Sequence, residues 1–267
     1  MTDTRPALPD PGVLAAFGAG AAAPVPLVGG RGRSWRVGGI VLRPHDGALV
    51  TDWRAALLAD LGHTSAFRTP RPVPTRAGAW RCGEWEAWEF VAGTADETRV
   101  DDVIRAGRAF HRAVAGVGCP AFLRTADPET DDPWRRADRM AWGEAPLPTD
   151  PTLDRLAAAL RPVHAPAQLV HGDLLGNVLF AEGLAPGIID WPPYWRPAGT
   201  GAAIAAVDAV CWHGVSVDRL DDLGEGEHQW RQLLLRALVF RIATLHLLGA
   251  FDVASIARHR AVVDALA

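Results

Sequence analysis

Leu169-Val170-His171-Gly172-Asp173-Leu174-Leu175-Gly176-Asn177-Val178-Leu179-Phe180, followed a short turn later by Ile188-Ile189-Asp190-Trp191, is the stretch on which the reading of this chain turns. An apolar strand leads into a polar turn, a second apolar strand follows, and after a turn at Gly183–Gly187 a third apolar strand ends in a carboxylate. Such a layout can bring Asp173, Asn177 and Asp190 to one edge. Two carboxylates and an amide oxygen suit Mg²⁺, a hard cation that also takes phosphate oxygens as ligands. Asp and Asn are also ordinary turn formers, so a plain hairpin explains each of them singly. It does not explain the ordered set.

His-Gly-Asp-Leu, then Asn, then Ile-Ile-Asp-Trp resembles the catalytic core of the aminoglycoside phosphotransferase-like families, which belong to the protein-kinase-like superfold. There His-Gly-Asp replaces His-Arg-Asp, and Ile-Asp replaces Asp-Phe-Gly. The resemblance implies an α+β, bilobal fold: a small antiparallel β-sheet N-lobe that binds nucleotide, and a mainly helical C-lobe that carries catalysis and the acceptor. It further implies Asp173 as catalytic base, Asn177 and Asp190 as ligands of Mg²⁺, ATP or GTP as phosphoryl donor, and His171 as a hydrogen-bonding support of the catalytic loop. One departure stands out. The kinase pattern puts Asn five residues after the catalytic Asp, whereas Asn177 follows Asp173 by four. Gly176, just before it, can adopt backbone angles closed to other residues and so absorb the deletion.

The chain has 267 residues, enough for one large domain or two lobes, and a formal charge of −4 that gives no reason to expect nucleic acid or an anionic membrane as partner. All 27 basic residues are arginine. With the abundant alanine, this points to a GC-rich genome such as that of an actinobacterium. Any family function that needs lysine must use another residue. Cys82, Cys119 and Cys211 show no metal-binding spacing and leave an odd count, which favours a reducing compartment, the cytoplasm. The N-terminus lacks a basic-then-apolar signal, and the longest apolar run, Leu233–Leu248, is interrupted by Arg236 and Arg241, so no membrane span is expected.

Working outward, Pro26-Leu27-Val28, the glycine-rich turn Gly29-Gly30-Arg31-Gly32-Arg33 and the return Ser34–Val37 read as a hairpin. By the resemblance Gly30 and Gly32 would line the phosphates; a plain hairpin fits nearly as well. Gly39–Pro44 is the next strand, and Arg43 stands where the family carries its phosphate-pairing lysine. The alternative is a surface arginine at a strand end. Asp52–Leu61 is read as an amphipathic helix with Trp53, Ala56, Leu57 and Leu61 on its inner face. It occupies the place of the kinase helix whose glutamate pairs with that lysine, yet holds no glutamate, and Asp52 and Asp60 are the acids available. Arg71–Thr75, Ala79–Cys82 and Glu86–Val91 read as strands. Glu89–Gly93 resembles the hinge whose backbone meets adenine, here through Glu89 and Val91, with the lobe boundary at Gly93 (1–93 and 94–267).

Beyond the boundary, Arg99–Val117 is a helix with Val103, Ala106, Phe110 and Val114 as its apolar stripe, and His111 is structural rather than catalytic. Residues 118–150 show no period and read as a functional loop or insertion; Pro151–Val163 is a helix. After Asp190, Tyr194, Trp195 and Arg196 are candidates for a wall that recognises the acceptor, or for a proline-stiffened loop packing its aromatics. Asp208 would hydrogen-bond the catalytic-loop backbone by the resemblance, or cap a helix. Asp218, Asp221, Asp222, Glu225 and Glu227 form an acidic patch able to hold amino groups of a cationic sugar, though such runs are usually solvated. Two helices, Trp230–Leu248 and Phe251–Leu266, close the chain.

The expected activity is Mg²⁺-dependent phosphorylation of a hydroxyl on a small molecule. The competing expectation is a pseudokinase that binds nucleotide or acts as a scaffold, motivated by the missing lysine, the missing helix glutamate and the shortened loop. A protein kinase fits less well, because no activation segment ending in Ala-Pro-Glu is present.

Overall fold

Short strands dominate the chain before Gly93 and helices after it. The computed structural model describes residues 8–20, 22–27, 32–124 and 131–267. In chain order the elements are α1 (Pro11–Ala16), β1 (Val25–Pro26), β2 (Trp35–Val37), β3 (Ile40–Pro44), α2 (Ala48–Asp60), β4 (Arg81–Cys82), β5 (Trp85–Glu89), β6 (Thr94–Ala95), α3 (Val100–Val114), α4 (Pro133–Ala141), α5 (Pro151–Ala159), β7 (Ala167–His171), β8 (Val178–Phe180), β9 (Gly187–Ile188), β10 (Pro193–Pro197), α6 (Thr200–His213), α7 (Leu220–Leu223), α8 (Trp230–Leu247) and α9 (Val253–Leu266). They fall into two units. One holds the described residues up to Gly93 together with Ala181–Asp190, and the other holds Thr94–Phe180 and Trp191–Ala267.

In the first unit an antiparallel sheet runs in the order β1-β2-β3-β5-β4. Val37, Leu42 and Ala87 point from it onto Val13 and Phe17 of the α1 segment, a small apolar core. The β3–β5 register sets Arg43 opposite Glu86 and Leu42 opposite Ala87. Residues 71–75 do not form the strand expected of them. Pro72 and Pro74 have no N–H to give, so only the Val73 N–H to Ala87 O (2.8 Å) and the Glu89 N–H to Arg71 O (2.8 Å) lace this segment to β5.

Helix α2 begins four residues before the expected start and presents a different face. Val50, Thr51, Arg54, Ala55 and Leu58 are buried, while Ala56 is exposed and Trp53 and Leu57 are half-buried. The reason is electrostatic. The inner face carries a guanidinium, Arg54, which a search for apolar periodicity excludes, and that charge is buried because the sheet supplies a carboxylate to meet it.

The second unit is built round α8. This helix is buried on nearly every side, from Trp230 through Leu233, Leu234, Leu238 and Phe240 to Thr244, and packs against α4, α5, α6 and α9. Helix α4 lies within the segment read as an irregular loop. Its signal was present: Asp132 accepts from the Arg135 N–H (2.8 Å) as N-cap and Pro133 takes the first helical position. β7 pairs antiparallel with β10, His171 opposite Pro193, and β6 with β8. Trp191 anchors this region through Nε1–H to Val170 O (3.0 Å) and stands edge-on to Phe110 of α3 at 4.9 Å. No described helix is long and apolar enough to cross a membrane. All three cysteines are free thiols.

Candidate active site

In the first unit the expected phosphate-binding position carries a buried charge cluster. Arg43 Nε donates to Glu86 Oε1 at 2.6 Å, and its Nη1 donates to Asp190 Oδ1. Glu86, only 1% exposed, also accepts from Arg54 Nη2 at 2.9 and 3.1 Å. The Arg54 guanidinium lies 5.5 Å from the Trp88 ring centre. A glutamate thus sits between two arginines, one on β3 and one on α2. The acid partner of Arg43 comes from the neighbouring strand. Neither Asp52 nor Asp60 plays that part: Asp52 instead receives a two-pronged bond from Arg81 (2.9 and 3.0 Å). Burial alone would push the Glu86 carboxyl up, but Arg43 and Arg54 outweigh it and hold the group below the ordinary glutamate range. Asp190 has φ of 51°, the left-handed region that Asp tolerates better than most residues. Strained backbone of this kind clusters at ligand sites.

Gly30 is outside the described residues. Gly32 is exposed, with φ of 65° and open space where a side chain would be. Glu89 ends β5, and its N–H is bound to Arg71 O. Val91 is buried, with a methyl so close to Gly187 that a side chain there would be 2.5 Å from it.

In the second unit the turn after β7 is held from several directions. His111 Nδ1–H donates to Ala198 O (3.1 Å), and Nε2 accepts the His171 N–H (2.9 Å). Burial, with His171 beside it, pushes the His111 pKa down to about 3, so the ring is neutral and this tautomer is fixed. His171 Nδ1 in turn accepts the Asp173 N–H at 3.1 Å. Gly172 is required by space: a Cβ there would lie 2.4 Å from the Tyr194 ring. The shortened loop closes with the Asn177 N–H on Leu174 O (2.9 Å) and with Gly176 at φ of 85°. Asn177 Nδ2 donates to Asp173 O (2.7 Å) and Asp173 Oδ2 (3.2 Å), so its amide nitrogen is turned toward Asp173.

Asp173 has one more partner, absent from the sequence reading. Arg241 of α8 donates through Nη2 to Asp173 Oδ1 (2.7 Å) and to Asp208, and through Nε to Asp208 Oδ1 (2.8 Å). Asp208 therefore neither caps a helix nor bonds the loop backbone. It lies in the middle of α6 and reaches the loop through the Arg241 side chain. Burial pushes Asp208 above the ordinary aspartate range, and Arg241 restrains that rise. A usable signal existed, since an arginine in an otherwise apolar helix demands a carboxylate partner.

The proposed recognition wall is mostly scaffold. Tyr194 is buried against Phe240 (5.9 Å, edge-on), and Arg196 is clamped by Asp138 of α4 (2.6–3.1 Å) and Glu144 (2.6 and 2.9 Å). In the acidic patch Glu227 pairs with Arg108 (3.0 Å) and Asp222 with Arg219 (3.7 Å). Among the described residues no three His, Cys, Asp or Glu side chains converge as a metal cluster.

The strand–turn–strand motif, with its supporting histidine pair, lies inside the region that a family model matches, residues 40–194, more than half the chain. That model describes the APH phosphotransferase enzyme family. The chain belongs to this family. The phosphotransferase also shares its fold with solved structures. Aminoglycoside phosphotransferase APH(4)-Ia, a thermostable mutant in ternary complex with AMP-PNP and hygromycin B, matches with a TM-score of 0.57 at 16% identity, covering 91% of this chain and 93% of that one. Spectinomycin phosphotransferase APH(9)-Ia, in complex with ADP and spectinomycin, matches with a TM-score of 0.53 at 15% identity, covering 90% and 88%. An aminoglycoside phosphotransferase from Alicyclobacillus acidocaldarius matches with a TM-score of 0.51 at 15% identity, covering 92% of each chain. No functionally curated sequence matches the phosphotransferase.

Proposed function

We propose that the phosphotransferase moves the γ-phosphoryl group of a nucleoside triphosphate, ATP or GTP, onto a hydroxyl of a small molecule, with Asp173 as the catalytic base. The observation that carries this reading is the placement of Asp173. Its side chain is 44% exposed, while its backbone and both carboxylate oxygens are bound by His171, Asn177 and Arg241. A carboxylate held in place and aimed is what orienting an acceptor hydroxyl requires. Asp173 would take the hydroxyl proton as the oxygen attacks phosphorus and the bond to the nucleoside diphosphate breaks.

By the family resemblance Asp190 and Asn177 would each serve as a Mg²⁺ ligand, and each carries a hard oxygen of the kind that ion takes, a carboxylate in one unit and an amide in the other. The ion, when bound, neutralises charge on the transferring phosphate. Arg43 stands in for the lysine. It keeps the charge and can bind phosphate bidentately, and Glu86 fixes its orientation from the sheet. Comparable nucleotides, AMP-PNP and ADP, are bound by the structural neighbours. The nucleotide-binding role of the first unit and the acceptor role of the second follow from this reading.

The test is transfer of phosphate from MgATP or MgGTP to a panel of hydroxylated acceptors. Asp173→Asn and Asp190→Ala should each abolish it, while Asp221→Asn should leave it intact. Nucleotide binding indifferent to Mg²⁺, with no transfer to any acceptor, would support the scaffold reading.

A further inference from the structure

A cavity of about 300 Å³ opens beside Asp173 within the second unit. Its apolar lining is Trp134 of α4, Leu175 of the loop, Trp212 at the end of α6, and Leu245 and Leu248 at the end of α8. Its charged lining is Asp173, Asp208 and Arg241. Trp212 is 38% exposed and Leu248 47% exposed. Large apolar side chains left uncovered at a concave site mark a place where something apolar binds.

The charges point the same way. Two carboxylates face the cavity, and one guanidinium bonds both of them. An ammonium group entering here would have to displace a buried arginine from two charge-assisted bonds or lie against a fixed positive charge. The acidic patch does not offset this. Its residues lie outside the lining, with Glu227 and Asp222 engaged by Arg108 and Arg219.

We infer that the acceptor is a neutral hydroxylated compound with an apolar or aromatic body, seated between Trp212 and Leu248 with a hydroxyl toward Asp173, and is not a polycationic amino-sugar. The inference rests on the phosphotransferase reading of Asp173. Arg241 then has two tasks: it holds Asp173 and excludes cations.

The test is calorimetric titration of the full chain, saturated with Mg²⁺ and AMP-PNP, using 4-nitrophenyl β-glucoside as neutral aromatic probe and kanamycin as polycationic probe. The glucoside is expected to bind more tightly than kanamycin. Trp212→Ala and Leu248→Glu should each weaken glucoside binding by about tenfold or more with nucleotide affinity unchanged. Arg241→Met should raise kanamycin affinity by about tenfold by releasing both carboxylates. Tighter kanamycin binding by the unaltered chain, absence of saturable glucoside binding, or glucoside binding indifferent to both cavity substitutions overturns the inference. Glucoside binding that shows the expected losses, with no phosphate transferred from MgATP, upholds the cavity preference and overturns the phosphotransferase reading instead.

Discussion

Glu86→Gln is the substitution that best tests the charge cluster of the first unit. Glu86 is 1% exposed and accepts from Arg43 at 2.6 Å and from Arg54 at 2.9 and 3.1 Å. The Arg54 side chain is 4% exposed. Removing one partner of a buried ion pair costs about 3–5 kcal/mol, because the remaining charge is left without compensation. Glutamine keeps one acceptor oxygen in place, so the lower end, about 3 kcal/mol, is expected. In thermal denaturation followed by circular dichroism this is a fall in Tm of roughly 6–12 °C, at about 2–4 °C per kcal/mol. The companion variant, Glu86→Leu with Arg54→Met, replaces the pair by apolar groups and leaves Arg43 with Asp190; it should recover most of the loss. Coupling between Glu86→Leu and Arg54→Met in a double-mutant cycle should exceed about 1 kcal/mol. A fall below about 2 °C for Glu86→Gln, or additive effects in the cycle, would refute the reasoning. Acid supplies an independent check. The folded-state pKa of Glu86 lies below its ordinary value of 4.5, so its contribution is present above about pH 4.5 and is lost as the pH falls through the folded value.

Other outcomes follow from the second unit. His111 has a folded pKa of about 3 against an ordinary 6.5, so between those values the unfolded chain binds more protons. Stability should therefore fall on acidification below about pH 6.5, with a slope of up to about 1.4 kcal/mol per pH unit. His111→Gln should flatten that part of a stability–pH curve, and an unchanged curve would contradict the assigned neutral tautomer. Gly172→Ala should lower Tm by several degrees, because its methyl would meet the Tyr194 ring at 2.4 Å; Gly172→Ala with Tyr194→Leu should restore part of it. Asp132→Ala removes the N-cap of α4 and should cost about 1 kcal/mol in chemical denaturation.

What could be read from residues alone was what depends on neighbours in the chain. Strand β7, the turn through Asp173 and Gly176, strand β3 with Arg43, and the Phe110 stripe of α3 each follow from local period and turn chemistry. The fold class was legible for the same reason, because the ordered motif His171 to Asp190 lies within a few turns of chain. Even α4 had local signals in Asp132 and Pro133. Pairs distant in sequence were not legible. Arg54 meets Glu86 and Arg241 meets Asp173 and Asp208 only after the elements pack. A buried charge looks like a surface charge until its counter-ion is in place, so hydrophobic period turned α2 to the wrong face and read Arg241 only as a break in an apolar run. The His171–Asp190 stretch by itself determined the resemblance to the phosphotransferase family, whose family model matches residues 40–194. The tertiary structure alone decided which side chains hold Asp173 and Arg43, and that an apolar cavity opens beside Asp173. Burial and ion pairing are properties of three-dimensional neighbours, and sequence order does not encode those neighbours locally.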